Sequence, residues 1–349
     1  MSRASGNLVP KVLHWLLAAA ALGFLAYQVP SLLRSGRQAA GELHAISWWW
    51  VAASVVLGLA AVAAYGELHR ELLVVGGSHQ PPAIVESNTF AENAITNPVP
   101  VVGGAGGLAY GISRFRRRGV DSALASWSVL LAGILDTVCL VVLAAVALAA
   151  TGRIGWSVAA AVLALVAGAA LGAWFVVRHP AVLPRLLRPL LWLGRLVHRR
   201  AGKSGDRPAG DLDELTARVA DRLRLLEPTP ARWAALLAVC LATWLLDFGD
   251  LTVASAAVPH PTHWSGLVAG YLVVQAGIAL QILPGGAGLS DVGLLGTLVA
   301  SGVAAGPAAA TVLVYRACSW LVPAVVGWLA YGVNAHLIGP RVEAGAASG

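Results

Sequence analysis

"LPGGAGLSD", residues 283–291, breaks the most apolar territory of this chain with one proline, three glycines and an acid. Irregular backbone and a carboxylate are at home in water. In hydrocarbon they are tolerated only where protein or a watery cavity satisfies the freed polar groups. The solvent around this stretch therefore decides how it is read.

Composition names that solvent. The chain has 349 residues, 58% hydrophobic and 12% charged, with a mean hydropathy of +0.73. A soluble domain carries about a quarter charged residues, so there is too little polar surface here to coat a water-facing globule. Stretches 16–27, 48–65, 154–177 and 264–283 contain no Asp, Glu, Lys or Arg. A spanning helix needs roughly 20 mostly apolar residues. The segment 12–29 reads as a retained first helix, because its apolar run exceeds the ~7–15 residues of a secretory signal and lacks a small-x-small cleavage site. Cys139, Cys240 and Cys318 fall in apolar segments without metal-type spacing or a disulfide framework, and read as small buried hydrophobes.

The net charge of +7 would suggest nucleic acid in a soluble protein. Here the arginines crowd into two loops, "SRFRRRG" (113–119) and the long stretch 178–232, so membrane orientation accounts for them and no nucleic-acid partner is expected. Basic loops stay cytoplasmic. That places both chain termini inside, the short turn "TGRIGW" (151–156) outside, and "PHPTHW" (259–264) outside. Trp48, Trp49, Trp50, Trp156 and Trp264 then mark the outer interface. Within the long basic stretch, Arg185, Arg188, Arg195 and Arg199 share a helical face opposite Leu186, Leu190, Leu193 and Val197. This is the pattern of a surface helix over 185–200 lying on anionic headgroups. A flexible linker (201–210) and a second amphipathic helix (211–226) follow.

The opening stretch has a partner. "NPVPVVGGAGGL" (97–108) carries Pro100 and a similar glycine run, and Gly119-Val120 downstream is echoed by Gly302-Val303. Tracing helices between the basic loops makes the two units inverted copies, each with a broken hairpin entering from its own face. The expected fold is an all-α polytopic membrane protein of about six full spanning helices plus two re-entrant hairpins. Its parts are a cytoplasmic N-terminus (1–11), a first half (12–177) with a hairpin near 87–113, and a basic cytoplasmic segment (178–230). A second half (231–335) with a hairpin near 264–303 and a C-terminal tail (336–349) complete it. Gly/Pro-interrupted segments in corresponding positions of two halves are the best sequence pointer to a transporter's site. The alternative is a proline kink with glycines for close helix packing.

Charges stand where lipid should be. Arg316 lies near the centre of 307–332, where an unpaired guanidinium costs between ~3 and ~15 kcal/mol. It must face protein, water or an anion. Its planar fork suits a phosphate, and a structural ion pair is the other reading. Asp136, Asp247, Asp250 and Asp291 are acids that can counter a cationic headgroup or pair with Arg316, Asp250 reading equally as a solvated interfacial residue. Thr89, Glu92, Asn93, Thr96 and Asn97 recur at helical spacing before Pro98. They give the first hairpin a polar face, for a guest or for its own broken backbone. Pro284, Gly285, Gly286 and Gly288 complete the candidate site. His260 and His263 form an H-x-x-H without a third ligand, the glycine runs lack a Walker lysine, and no nucleophile–base constellation stands out. Neither metal, cofactor nor covalent catalysis is expected.

"NPVPVVGGAGGLAYGISRFRRRGVDSALA" (97–125) and "ILPGGAGLSDVGLLGTLVASGVAAGPAAATVLVYRACSWLVPAVVGW" (282–328) resemble the lysylphosphatidylglycerol synthase transmembrane-region family, also called the flippase-like domain, over nearly the whole chain. The resemblance implies a membrane domain that moves aminoacylated phosphatidylglycerol between leaflets. By position it carries the glycine motif onto Pro284, Gly285, Gly286 and Gly288, the following acid onto Asp291 (usually Glu), and the intramembrane arginine onto Arg316. In the first half the family's Arg three residues before Asp136 is replaced by Gly133. Full synthases add a soluble acyltransferase domain, whereas this sequence ends at Gly349 soon after its last helix, so the resemblance implies a membrane module and not an enzyme. The expected function is translocation of a phospholipid or lipid-linked headgroup. The alternatives are a non-catalytic membrane subunit of an envelope lipid aminoacyl- or glycosyl-transferase, and an integral-membrane enzyme using Asp247 or Asp250 as base.

Overall fold

The computed structural model describes residues 43–97, 103–178, 229–261, 263–279 and 288–336. The expected first helix (12–29), the surface helix (185–200), the C-terminal tail beyond His336, and Pro284, Gly285 and Gly286 lie outside the described residues. Within them the fold is all-α. A short 3-10 turn (Leu43–Ala45) leads into α1 (Trp48–Val75), followed by α2 (Pro82–Thr96), α3 (Gly103–Arg117), α4 (Ser122–Ala150) and α5 (Trp156–Arg178). The second half comprises α6 (Pro230–Ala256), α7 (Trp264–Ala279), α8 (Leu289–Ala300), α9 (Ala305–Arg316) and α10 (Val322–His336), the last two joined by one π turn, Ala317–Leu321. Among the described residues four helices are long and apolar enough to cross a membrane: Trp48–Val75, Ser122–Ala150, Pro230–Ala256 and the composite Ala305–Asn334. The chain is a polytopic helical membrane protein.

α1 outruns its expected span of 48–65 by ten residues. The extension "GELHRELLVV" combines fully buried Leu68, Leu72 and Leu73 with a charge ladder in which Arg70 donates to Glu67 at 2.7 Å and to Glu71 at 2.8 Å. Neighbouring opposite charges let a polar helix face persist beyond the apolar stretch. Gly77, at φ 81°, then ends it in the left-handed region.

α1 and α6 run antiparallel in close contact. Their shared end is fixed by Ser47 N–H donating to the Ala257 carbonyl at 3.0 Å. At this end Trp48, Trp49 and Trp264 are exposed, and Trp156, after α4, belongs to it as well. The opposite end carries Arg114, Arg116, Arg117 and Arg118. The two can be called the tryptophan end and the arginine end.

Between the long helices lie two hairpins of short ones. α2 and α3 have 15 residues each and pack antiparallel, Gly107 and Gly111 opening room for Thr96 and Glu92. α7 and α8 have 16 and 12 residues. Gly270 and Gly277 bring α7 against α8; a Cβ at Gly277 would stand 3.1 Å from Ser290 Cβ. These arms measure about 18–24 Å against about 40 Å for α1, at roughly 1.5 Å per residue. The first hairpin opens at the arginine end, the second at the tryptophan end.

Each hairpin leaves by the same turn. Val120 N–H donates to Phe115 O and Val303 N–H to Leu298 O, both at 3.1 Å, while Gly119 and Gly302 bond back to Arg116 and Val299, both at 3.0 Å. Both glycines have positive φ, 81° and 99°, and both valines are buried. This 6→1 pattern with a left-handed glycine is the Schellman motif. Carried on at the same spacing, Arg316 corresponds to Gly133 and Ser319 to Asp136.

The two units are not packed alike. α10 lies along α2, with Gly327 pressed on the Phe90 carbonyl and Asn334 Nδ2 donating to Ser87 Oγ at 2.7 Å. Its counterpart α4 touches α7 at only a few positions. The π turn joining α9 to α10 has a local cause. Pro323 has no N–H to continue the ladder, and the Val322 N–H reaches back five residues to Ala317. Such single wide turns recur at functional sites, and this one begins one residue after Arg316.

Candidate functional site

Arg316 is 8% exposed in the middle of its composite helix. Its Nε donates to the Asp291 carboxylate and its Nη2 to Ser290 Oγ. Asp291 sits in the first turn of α8, where a carboxylate complements the unpaired N–H groups. Its second oxygen accepts the Gly288 N–H at 3.1 Å. Gly288 has φ 82° and ψ −59°, a conformation glycine adopts without Cβ conflict. The last glycine of the quoted stretch thus turns the chain, the acid caps the new helix, and the arginine of α9 is held by that acid.

A second carboxylate faces the same place. Asp247 of α6 accepts from Tyr271 Oη and Gln275 Nε2, each at 2.8 Å, and lies within Coulomb range of Arg316. Asp136 of α4 lies within range of Asp247, and the Trp244 indole N–H donates to its backbone carbonyl at 2.9 Å. One Asp136 carboxylate oxygen is buried without a partner. The structure therefore brings together Arg316, Asp291, Gly288, Asp247 and, at the edge, Asp136.

Asp250, three residues from Asp247, is fully buried, which removes its reading as a solvated interfacial residue. Ser54 donates to one oxygen, and the other stands where a Cβ at Gly58 would come within 3.0 Å. In the first hairpin Asn97 Nδ2 donates to Asn93 Oδ1 at 2.9 Å, so these two amides answer one another one turn apart. Glu92, buried at 7% exposure, points between Gly107 and Gly111 with one oxygen unpartnered. Among the described residues no hydrogen bond joins Asn93 or Asn97 to the Arg316 cluster. At the tryptophan end His260 Nε2 lies 3.1 Å from Thr311 Oγ1, tying the loop after α6 to α9.

The sequence that carries this arginine, these acids and this glycine turn is matched by a family model. The model of the lysylphosphatidylglycerol synthase TM region covers residues 11–327. The chain belongs to that family. No curated protein matches it. Within this lysylphosphatidylglycerol synthase TM region, the two glycine stretches, the Asp136 helix and all of Arg316's contacts lie inside the matched residues.

Sequence reading missed several partners. Ser290 stands inside the quoted stretch, and Gln275 and Tyr271 are polar groups in an otherwise apolar helix. Period alone would have set them beside one another, one turn apart. Ser54 gave no signal, because a lone serine in a spanning helix usually bonds its own backbone.

Proposed function

We propose that this protein translocates a phospholipid or lipid-linked headgroup between leaflets. The reading rests on one observation above others: Arg316 is held by Asp291 and Ser290 of α8, and Asp247, held by Tyr271 and Gln275 of α7, lies within electrostatic range of the same guanidinium. Polar groups are costly at membrane depth and mark substrate pathways. Two guanidinium N–H groups are engaged, and those remaining can donate to a phosphate oxygen. Asp247 or Asp136 then faces a cationic part of the headgroup.

The hairpins supply the path. Their arms, about 18–24 Å, are shorter than roughly 30 Å of hydrocarbon, and their feet stand at opposite ends of the bundle. Read as re-entrant, they make an inverted repeat, which the matching Schellman exits support. The arginine end is cytoplasmic by the distribution of basic residues. Rocking of one unit against the other exposes the polar seam to each leaflet in turn. Attraction of an anionic lipid surface by 185–200 belongs to the same reading, as does a module that carries lipid without itself performing chemistry.

Purified protein reconstituted into liposomes should move fluorescent-headgroup phosphatidylglycerol to the opposite leaflet well above the rate in empty liposomes. Asp247→Asn, which keeps the shape and alters the charge, should slow that movement about tenfold or more, one lost charge contact being worth on the order of 1.5–3 kcal/mol. Wild-type movement no faster than the empty control would end the proposal.

A further inference from the structure

A recess opens at the arginine end, away from the Arg316 cluster. It is lined by Ile84 and Asn88 of α2, Arg114 and Phe115 of α3, Arg118 after α3, and Asn334 of α10, and is open to solvent at its mouth. Its inner part has room for about one water-sized group. Two features of this recess have no account in the packing of the fold.

The first is Asn88. It is 2% exposed, yet neither its amide nitrogen nor its carbonyl oxygen has a hydrogen-bond partner. A buried primary amide left unpaired has given up its water without a replacement partner, which is destabilising. It is not a requirement of the helix, which bonds through its backbone. The second is the pair of arginines. Arg116 and Arg117 are exposed, as solvated basic residues should be, whereas Arg114 and Arg118 are half-buried, one turn apart on the recess side. Among the described residues neither forms an ion pair. Like charges at this spacing repel, so drawing them from water without an acid is unfavourable unless an anion sits between them.

One ligand chemistry answers both. A phosphate oxygen accepts from two guanidinium groups and from an amide N–H. An adjoining hydroxyl donates to the amide carbonyl. We propose that Asn88, Arg114 and Arg118 bind a phosphate group that bears or adjoins a hydroxyl. The narrow inner recess takes one oxygen, and the remainder of the group lies at the mouth beside the arginines. Asn334 is held by Ser87 and braces the wall between α2 and α10. This site stands apart from the Arg316 cluster and does not depend on translocation.

The chemistry fits free hydrogenphosphate and the glycerol headgroup of phosphatidylglycerol, and two arms of one experiment separate them. Full-length protein in phosphatidylcholine nanodiscs containing about one-fifth phosphatidylglycerol is released into native mass spectrometry to count retained anionic lipid. The same protein in detergent is titrated with inorganic phosphate, followed by 31P line broadening. Arg114→Gln/Arg118→Gln should weaken whichever ligand binds at least about tenfold, each lost charge-assisted hydrogen bond being worth roughly a factor of ten. Asn88→Leu should weaken it too while leaving the unfolding midpoint unchanged or raised, because an orphaned amide is replaced by an apolar group of similar shape. Loss of retained lipid with no phosphate broadening identifies a lipid headgroup; broadening abolished by the variants identifies free phosphate. Lipid retention and broadening both unaltered by the double variant, or Asn88→Leu lowering the unfolding midpoint while sparing binding, overturns the site.

Discussion

Arg316→Ala should lower the unfolding free energy of the detergent-purified protein by about 3–5 kcal/mol, the range for removing one partner of a buried pair. The arginine is 8% exposed and engages both Asp291 and Ser290. Its loss strands Asp291 with the Gly288 N–H as its one remaining partner among the bonds described for it. The damage should be reciprocal and non-additive. Asp291→Asn alone leaves the guanidinium short of a counter-charge, whereas Arg316→Gln with Asp291→Asn removes both charges and should recover most of the loss. A double-mutant cycle in urea or SDS titration should yield a coupling of about 2 kcal/mol or more. Additive effects would mean that the pair does not hold α9 to the second hairpin. The neutral pair also separates stability from function: it should fold well and still fail to move lipid, since no cation is left to receive a phosphate.

Gly327→Leu should prevent α10 from seating on α2. A Cβ at Gly327 would fall onto the Phe90 carbonyl oxygen and within 2.6 Å of Ala94 Cβ. A helix backbone cannot retreat as a flexible side chain can. Overpacking of this kind costs about 1–3 kcal/mol per site and more when backbone must move, so even Gly327→Ala should be harmful and Gly327→Leu should leave little folded protein after detergent extraction. Gly332 lies in the same helix with nothing within 4 Å of its would-be Cβ. Gly332→Ala is the control, and should be neutral or slightly stabilising because alanine favours the helix by up to about 1 kcal/mol. Equal behaviour of the two alanine variants, measured as monodisperse yield and melting temperature, would contradict the close approach.

Much of this was legible beforehand because bilayer physics is severe. Apolar length, the placement of arginines and the glycine echoes located the helix pairs, and the Gly119/Gly302 echo became two turns with the same hydrogen bonds. Arg316 stood out because a charge at that depth demands a partner. What periodicity left open was which partner. Asp136, Asp247, Asp250 and Asp291 were equivalent as sequence, and only the closure of the second hairpin put Asp291 on the guanidinium. The polar tail of α1 was hidden for the opposite reason. Glu67, Arg70 and Glu71 lie beyond the charge-free stretch 48–65, and it is their mutual pairing that carries the helix through them. Asn88, Arg114 and Arg118 were invisible as a group, since their meeting depends on α2, α3 and α10 packing at one end.

The most direct test of two hairpins entering from opposite faces is single-cysteine labelling with a charged, membrane-impermeant thiosulfonate. Native Cys139, Cys240 and Cys318 are buried and free and set a low background. His79→Cys, at the foot of the first hairpin, should react only from the cytoplasmic side. Ala304→Cys, at the foot of the second, should react only from outside. Asn97→Cys and Leu289→Cys, near the two tips, should each react from the side of its own foot, while lipid-facing Ile134→Cys stays unlabelled. Labelling of both feet from one side, or tips as inert as Ile134→Cys, would contradict the account.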